Sequence, residues 1–295
     1  MGSVAILNVN GHKKIEQENA CREMKTILSR NLLDSISGKL LAHAVNVFDF
    51  TTDRPIYTEN DALPLPLASL TKLMTVRVAL KSVSLDDTYQ IKPADITFDA
   101  NSGFVAGDVF SLKDIIKATL IASSNNAAMM VARSTKLDPS HFISLMNFEA
   151  QNLQLPTLHY DSVSGLDTDT NQPTAVGSAH DILTLLYRDA LEMPDVFSFG
   201  TIPSTTIRSR SGRAISLTNT DQVLNKLALL KASKTGYTDT AGGNLAILWQ
   251  GPTGHTLGAV VLGSTVLGRF SDIVTLYNAA NIYTTAEQGL PNNCK

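Results

Sequence analysis

The chain of 295 residues predicts an α/β (α+β) fold with two lobes. One is an antiparallel sheet flanked by helices, the other is an all-helical insertion at about 82–190, and a cleft lies between them. Three observations lead there. Alternating or continuous apolar segments lie towards both chain ends, at 44–58 and 232–263, and read as strands. The stretch between them carries its apolar residues mostly at helical spacing. Hydrophobic residues make up 43% and charged residues 17%, a balance that supports a large packed core and argues against disorder.

In chain order, residues 1–12 read as a short leading segment and 14–37 as a helix. Ile15, Met24, Ile27, Leu28, Leu32, Leu33 and Ile36 recur at mostly helical spacing, and Gly38 ends the run. Residues 1–41 thus form an N-terminal segment and helix. Leu40–Phe50 reads as a strand, Thr51–Pro55 as a turn and Ile56–Thr58 as the start of a partner strand, giving a hairpin over 44–58. A Leu- and Pro-rich connector then reaches a helix starting at Ser69, whose apolar pattern continues through Val76, Val78, Ala79 and Leu80. The polar stretch 82–108 carries Pro93, Gly103 and Gly107 and predicts only short structure. Ser111 reads as an N-cap, with Asp114 three residues on. Helices follow over 112–122, from Ala127 to Ala132, from Pro139 to Leu153 and over 178–190, with Ser123-Ser124-Asn125-Asn126 as a break. Thr205–Arg213 is polar and basic. Ala232–Thr238 resembles an edge strand. Gly243–Gln250 and His255–Gly263 are strands about the turn Gly251–Gly254, and Arg269–Tyr283 is a closing helix. Residues 42–285 therefore make one domain, and 286–295 a tail.

The chemistry centres on Ser69 and Lys72. On a helix, residues three apart share a face, so hydroxyl and ammonium sit one turn apart. A serine hydroxyl is a weak nucleophile until a base takes its proton. A free lysine holds its own proton far above neutral pH. The pair therefore calls for an enclosed site and a second cation that disfavours the charge on Lys72. Lys234, on the predicted edge strand, is the candidate, followed by Thr235 and by Gly236, which leaves room for a ligand backbone. Ser123 and Asn125, at i and i+2 in the polar break, read either as cleft-facing groups or as part of a helix cap. Each signal is weak alone, since an S-x-x-K match is expected on the order of once by chance. Together, in the order S-x-x-K, S-x-N and K-T-G and each on a fitting element, they form one set.

That ordered set resembles the active-site signature of penicillin-binding proteins and serine β-lactamases. The likeness covers about 42–285. Pro66–Thr75, Asp108–Ala128, Phe142 with Met146-Asn147, Ser164-Gly165-Leu166, Asn219-Thr220, and Lys234–Asp239 followed by Ala241-Gly242 are similar to the low-molecular-mass D-alanyl-D-alanine carboxypeptidases, the S11 serine peptidases. The resemblance implies a β-lactamase/transpeptidase-like fold. It implies Ser69 as the acylated nucleophile, Lys72 as its base, Ser123 as the proton shuttle to the leaving amine and Asn125 as the group that orients the substrate amide. Lys234 would supply positive charge and Thr235 would bind the substrate carboxylate. The backbone N–H groups of Ser69 and Tyr237 would form the oxyanion hole, with Gly236 and Thr238 completing the substrate-binding strand. The implied activity is a serine D,D-carboxypeptidase that removes the terminal D-alanine of peptidoglycan stem peptides ending in D-Ala-D-Ala and is acylated by β-lactam antibiotics. Its implied place is outside the cytoplasm, in the periplasm or at the cell wall. D,D-endopeptidase activity on cross-links is the alternative. A β-lactamase, for want of a placed deacylating glutamate, and a non-catalytic penicillin-binding sensor come behind it. There are two departures. Asn126 stands where the family commonly has Asp, and Asp99–Phe104 lacks the usual cleft-edge pattern, which leaves substrate preference open.

Other readings are set aside. A net charge of −3 suggests neither a nucleic-acid partner nor a membrane surface. The six histidines show no metal spacing, so no metal and no cofactor are expected. His180 and Asp181 are adjacent, point to different helix faces and read as structural. Glu149 with Asn152 faintly resembles a deacylating glutamate and reads instead as a solvated helix face. Trp249 reads as core packing, and Arg269 as structural or as part of the cleft's positive field. Val4–Leu7 is too short for a signal-peptide core and Met1-Gly2-Ser3 reads as an added leader, so a native signal peptide is expected to be absent from this sequence. The tail reads as too short for a membrane anchor. For the two cysteines, the plainer reading is a frayed, free thiol at Cys294, while a Cys21–Cys294 pairing stays open.

Overall fold

The structure, a computed structural model, describes residues 2–36, 38–97, 102–291 and 294. Asp99–Asn101, in the departing cleft-edge stretch, and Asn292, Asn293 and Lys295 of the tail lie outside the described residues. Helix α1 (Gly2–Ile36) leads into the hairpin of β1 (Ala44–Asp49) and β2 (Arg54–Glu59). The short β3 (Leu65–Pro66) and a 3-10 turn (Ala68–Leu70) deliver the chain to α2 (Thr71–Ala79). A ribbon of β4 (Thr88–Gln90) and β5 (Val109–Ser111) precedes α3 (Leu112–Leu120), α4 (Asn125–Ser134) and α5 (Pro139–Asn152). Next come β6 (His159–Tyr160), β7 (Ala175–Gly177), α6 (Ala179–Glu192), the short α7 (Pro194–Phe197) and a hairpin of β8 (Ser204–Arg208) and β9 (Ala214–Thr218). The chain closes with β10 (Leu230–Thr238), β11 (Gly242–Gln250), β12 (Thr256–Ser264) and α8 (Gly268–Gln288).

The five-stranded sheet has the order β10-β11-β12-β1-β2 and is antiparallel throughout. Both chain ends contribute because β1 pairs with β12, Val47 opposite Ala259. Strand alternation sends successive side chains to opposite faces. Val45, Val47, Ile247, Trp249 and Val261 pack on one face with Leu32 and Ile36 of α1 and with Phe270 and Ile273 of α8. Ala44, Ala246, Leu248, Val260 and Leu262 on the other face share a core with the apolar sides of α2 to α6. Full burial of one such aliphatic side chain stabilises by about 1.5–3 kcal/mol, so both layers are held to the sheet. β10 is the edge strand, and its Gly236, paired with Asn244 of β11, lies under the chain around Ser69 on the sheet's inner face. Ser111 caps α3, its hydroxyl accepting from the Asp114 N–H at 3.2 Å. Trp249 is fully buried and its indole N–H donates to Asn281 Oδ1 at 2.9 Å.

Several expectations are corrected. Helix α1 runs through the predicted leading segment to Gly2, and Arg54 and Pro55 belong to β2 rather than to the turn. α8 continues to Gln288. The polar stretch Thr205–Arg213 contains β8 and the tip of its hairpin with β9. α6, expected within the helical insertion, sends its Ile182, Leu183 and Leu186 into the core on the sheet's inner face. Cys294 is not a free thiol: it is buried and bonded to Cys21, with the two Cα atoms 5.0 Å apart. Glu149 is not solvated. It is buried against α2, where Arg77 Nε donates to it at 2.7 Å and Lys81 also pairs with it.

Candidate active site

Ser69 lies in the 3-10 turn just before α2. The turn is held from several sides. Ala68 has φ +48°, a left-handed conformation unusual for a residue with a Cβ, and its carbonyl accepts from Thr71 Oγ1 at 2.7 Å. A Cβ at Gly165 would lie 1.9 Å from Ala68 O, so only glycine admits this contact. Asn244 of β11 donates to the carbonyls of Pro66 at 2.9 Å and Leu67 at 3.1 Å, while its Oδ1 accepts from the Gly263 N–H at 2.9 Å. The segment leading to Ser69 is thereby fastened to the middle of the sheet.

Lys72 is fully buried one turn on. Its Nζ donates to Ser69 Oγ at 2.6 Å, Asn125 Oδ1 at 2.8 Å and Ser164 O at 3.0 Å. Two of these oxygens can only accept. Asn125 and Ser164 thereby hold the amine beside the Ser69 hydroxyl.

The polar break between α3 and α4 divides its labour. Ser124 is the cap, its hydroxyl accepting from the Ala127 N–H at 3.2 Å. Its neighbours Ser123 and Asn125 face the cleft: Asn125 meets Lys72, and Ser123, at φ +56°, accepts from Lys234 Nζ at 2.8 Å. Lys234 also donates to Thr235 O at 2.9 Å. Thr235 is buried with its hydroxyl hydrogen-bonded to that of Thr220. A Cβ at Gly236 would sit 2.8 Å from Leu67 O and 3.3 Å from Ser69 N, so glycine lets β10 lie against the nucleophile's turn. Tyr237 is exposed, its hydroxyl donating to Asp239 Oδ1 at 2.8 Å. Thr238 ends β10, and its hydroxyl accepts from the Ala241 N–H at 3.1 Å. The cleft therefore gathers Ser69, Lys72, Ser123, Asn125, Lys234, Thr235 and Gly236, with the Tyr237 and Thr238 side chains at its rim.

The field in the site is positive. Burial pushes the Lys234 ammonium well below its ordinary range, the charges of Lys72 and Arg269 add to this, and Asp221 opposes it. Arg269, buried at the start of α8, donates from Nη1 to Gly236 O at 2.6 Å; burial lowers its proton affinity too. Three contributors escaped the sequence reading, Asn244, Asp221 and Ser233, and Ser164 was noted only for its segment's likeness, not for its carbonyl. An amide inside the otherwise apolar β11 was the one available signal, for Asn244. Asn126 is buried and donates to Ser102 Oγ at 3.0 Å. His180 sits 3.4 Å from Asn46 Nδ2, whereas Asp181 accepts from the Thr157 hydroxyl at 2.7 Å, which keeps both in the scaffold. Among the described residues, no group of His, Cys, Asp or Glu could hold a metal, and no helix is long and apolar enough to cross a membrane.

Comparison with known proteins gives a consistent picture. The family model described as D-alanyl-D-alanine carboxypeptidase, Peptidase S11, matches residues 34–265. A D-alanyl-D-alanine endopeptidase of Pseudomonas aeruginosa is 29% identical over 70% of this chain and 66% of its own length. The D-alanyl-D-alanine carboxypeptidase DacD of Escherichia coli is 29% identical over 68% of this chain, which spans about half, 52%, of that relative. Among solved structures, a D-alanyl-D-alanine carboxypeptidase from Mycobacterium tuberculosis shares the fold, with TM-score 0.74, 22% identity, and 86% of this chain and 93% of that one covered. Penicillin-binding protein D2 of Listeria monocytogenes in its ampicillin-bound form gives TM-score 0.71 at 26% identity, over 82% of this chain and 98% of that one.

Proposed function

The chain belongs to the D-alanyl-D-alanine carboxypeptidase family of S11 peptidases, and on that premise we propose that it is a serine D,D-carboxypeptidase acting on peptidoglycan stem peptides that end in D-Ala-D-Ala. The observation that carries the reading is the hydrogen bond of 2.6 Å between Lys72 Nζ and Ser69 Oγ, made inside a buried, positively charged cleft. Neutral Lys72 takes the Ser69 proton, and Oγ attacks the penultimate carbonyl. The N–H groups of Ser69 and Tyr237 stabilise the developing oxyanion, a contribution of about 3–4 kcal/mol for one such donor. Asn125 orients the substrate amide. Ser123, hydrogen-bonded to Lys234, passes a proton to the departing D-alanine amine as the C–N bond breaks. Lys234 and Thr235 hold the terminal carboxylate beside Gly236, and Thr238 borders that strand. Water then cleaves the Ser69 ester.

A β-lactam presents a carbonyl and a carboxylate to the same groups, so penicillins are proposed to acylate Ser69. The Cys21–Cys294 bridge favours an oxidising, extracytoplasmic place of action in the periplasm or cell wall, and roles in cell shape and as an antibiotic target follow. The Pseudomonas relative supports a second reading, D,D-endopeptidase action on cross-links. The test is release of D-alanine from a D-Ala-D-Ala peptide by the wild type and its loss in Ser69→Ala, with a penicillin adduct mapped by mass to Ser69. Undiminished turnover by Ser69→Ala refutes the assignment. Monomers released from cross-linked muropeptides, with no D-alanine from the linear peptide, establish the second reading instead.

A further inference from the structure

The positive field of the site does not run the whole length of the cleft. On β10, Lys234 and Thr235 stand at the end proposed for the terminal carboxylate, and the Tyr237 N–H stands at the scissile carbonyl. The acyl part of a bound peptide therefore runs on past Tyr237, towards Thr238 and the turn through Asp239 and Thr240. A second segment walls that end, arriving on the side of Ser69. From the Ser164 carbonyl on Lys72 Nζ, the chain passes Gly165, packed on Ala68 O, and reaches Asp167 two residues on. Asp167 Oδ2 accepts from the Thr240 N–H at 3.3 Å, and the Asn171 carbonyl accepts from the Thr240 hydroxyl at 3.3 Å. These two bonds tie the 164–171 loop to the β10–β11 turn across the acyl end of the cleft. Asp167 is partly buried and pairs with no cation among the described residues. A neutral acceptor would serve that one N–H as well, so the latch does not account for the charge. Asp239 differs: it is exposed and engaged by the Tyr237 hydroxyl, and the Tyr237 side chain, three residues from Lys234, falls on the other side of the strand.

We propose that Asp167 is a specificity-determining residue, which selects peptides carrying a cationic side chain on the acyl side of the D-Ala-D-Ala unit. This rests on the carboxypeptidase reading. The cleft is cationic at the leaving-group end, where Lys234 and Arg269 are buried, and anionic at the acyl end. A peptide with a carboxylate at one end and an ammonium on the acyl side matches that polarity in the productive orientation and opposes it in the reverse. Asp167, already held by Thr240, meets the ammonium with little further loss of side-chain freedom.

The experiment compares two peptides ending in D-Ala-D-Ala, both with lysine as the acyl-side neighbour, one with its side-chain amine free and one with it acetylated. The wild type is expected to favour the free amine about fivefold in kcat/KM, a preference that shrinks as salt is added. In Asp167→Asn, which keeps an acceptor for the Thr240 N–H, the preference falls to within about twofold, while Asp239→Asn keeps it. A merely structural Asp167 would slow both peptides alike and leave their ratio unchanged. A preference that survives in folded Asp167→Asn overturns the proposal. Should that variant not fold, coupling decides: Ser69→Ala is activated with carbodiimide, freed of reagent and given the lysine peptide, and the amide formed with its amine is mapped by mass. A link at Asp167 sustains the proposal, and links only elsewhere, or none, overturn it. Turnover of both peptides at one rate by the wild type overturns this inference and leaves the carboxypeptidase reading standing. If neither peptide releases D-alanine, that reading fails first, and this inference with it.

Discussion

Arg77 offers the sharpest test of how the nucleophile's helix is held. It lies on α2, five positions after Lys72, and is 5% exposed. Its guanidinium donates to Glu149 of α5 at 2.7 Å, to Asp189 of α6 at 2.9 Å and to Glu192 of α6 at 2.7 Å. The Glu192 side chain is 49% exposed, so solvent screens that contact and it adds little. Glu149 and Asp189 are buried. In Arg77→Met the stem volume is kept and both buried acids lose this partner, Glu149 keeping Lys81 and Asp189 being held by burial well above the ordinary carboxyl range, a loss of about 3–5 kcal/mol at most. With an unfolding entropy of about 2.1 cal/mol/K per residue, that lowers Tm by roughly 5–8 °C. The assay is thermal unfolding at two pH values. In the wild type, Lys81 and Arg77 outweigh burial and hold the Glu149 carboxyl below its ordinary range. Its contribution is therefore present above the unfolded carboxyl pKa and is lost as pH falls through the lower folded value. In the variant burial is opposed by Lys81 alone, so the folded value moves up from its lowered position, and the penalty is largest at neutral pH and fades on acidification. The gap between wild type and variant should thus narrow from neutral to acid pH. A Tm within about 2 °C of wild type at neutral pH, or a gap that widens in acid, refutes this account of α2.

Two further outcomes are expected. The Cys21–Cys294 bridge spans 273 residues, and the chain-entropy relation then gives a stabilisation of at most about 5.6 kcal/mol; Cys21→Ser with Cys294→Ser should lower Tm by up to about 9 °C while D-alanine release at room temperature persists, because α1 packs on the sheet face opposite α2. Equal melting temperatures with and without the bridge contradict this. Gly236→Ala sets a Cβ 2.8 Å from the Leu67 carbonyl and forces β10 away from Ser69, so acylation by a fluorescent penicillin should slow at least about tenfold; labelling at the wild-type rate contradicts the tight approach.

The helices and the sheet strands were legible because their apolar residues repeat with the period of the element that buries them. The α3 start was legible from Ser111 alone, since capping is local chemistry. The site was legible because Ser69 with Lys72, Ser123 with Asn125, and Lys234-Thr235-Gly236 each occupy a few consecutive positions. What was not legible depends on distant partners. Glu149 looked solvated because Arg77 is far from it in sequence and meets it only when α2 packs on α5. The pairing of Cys21 with Cys294 is decided by where α1 and the tail finish. The β8–β9 hairpin hid behind Ser, Thr and Arg, since Ile207, Ile215 and Leu217 are its buried anchors. Asn244 carries no motif, and its function is to reach across to another segment's carbonyls.

Ala68 and Ser123, one beside the nucleophile and one facing Lys234, both hold left-handed backbone angles that disfavour a side-chain-bearing residue by about 1–2 kcal/mol each. Neither would stay there in an isolated peptide; the rest of the molecule imposes the shape. The cleft is thus a sprung part, kept cocked by the packing around it. Laboratory selection for thermal resistance would be drawn to relax those two angles, and each relaxation would release geometry that the reaction needs. Gains in robustness are better sought on the far face of the sheet.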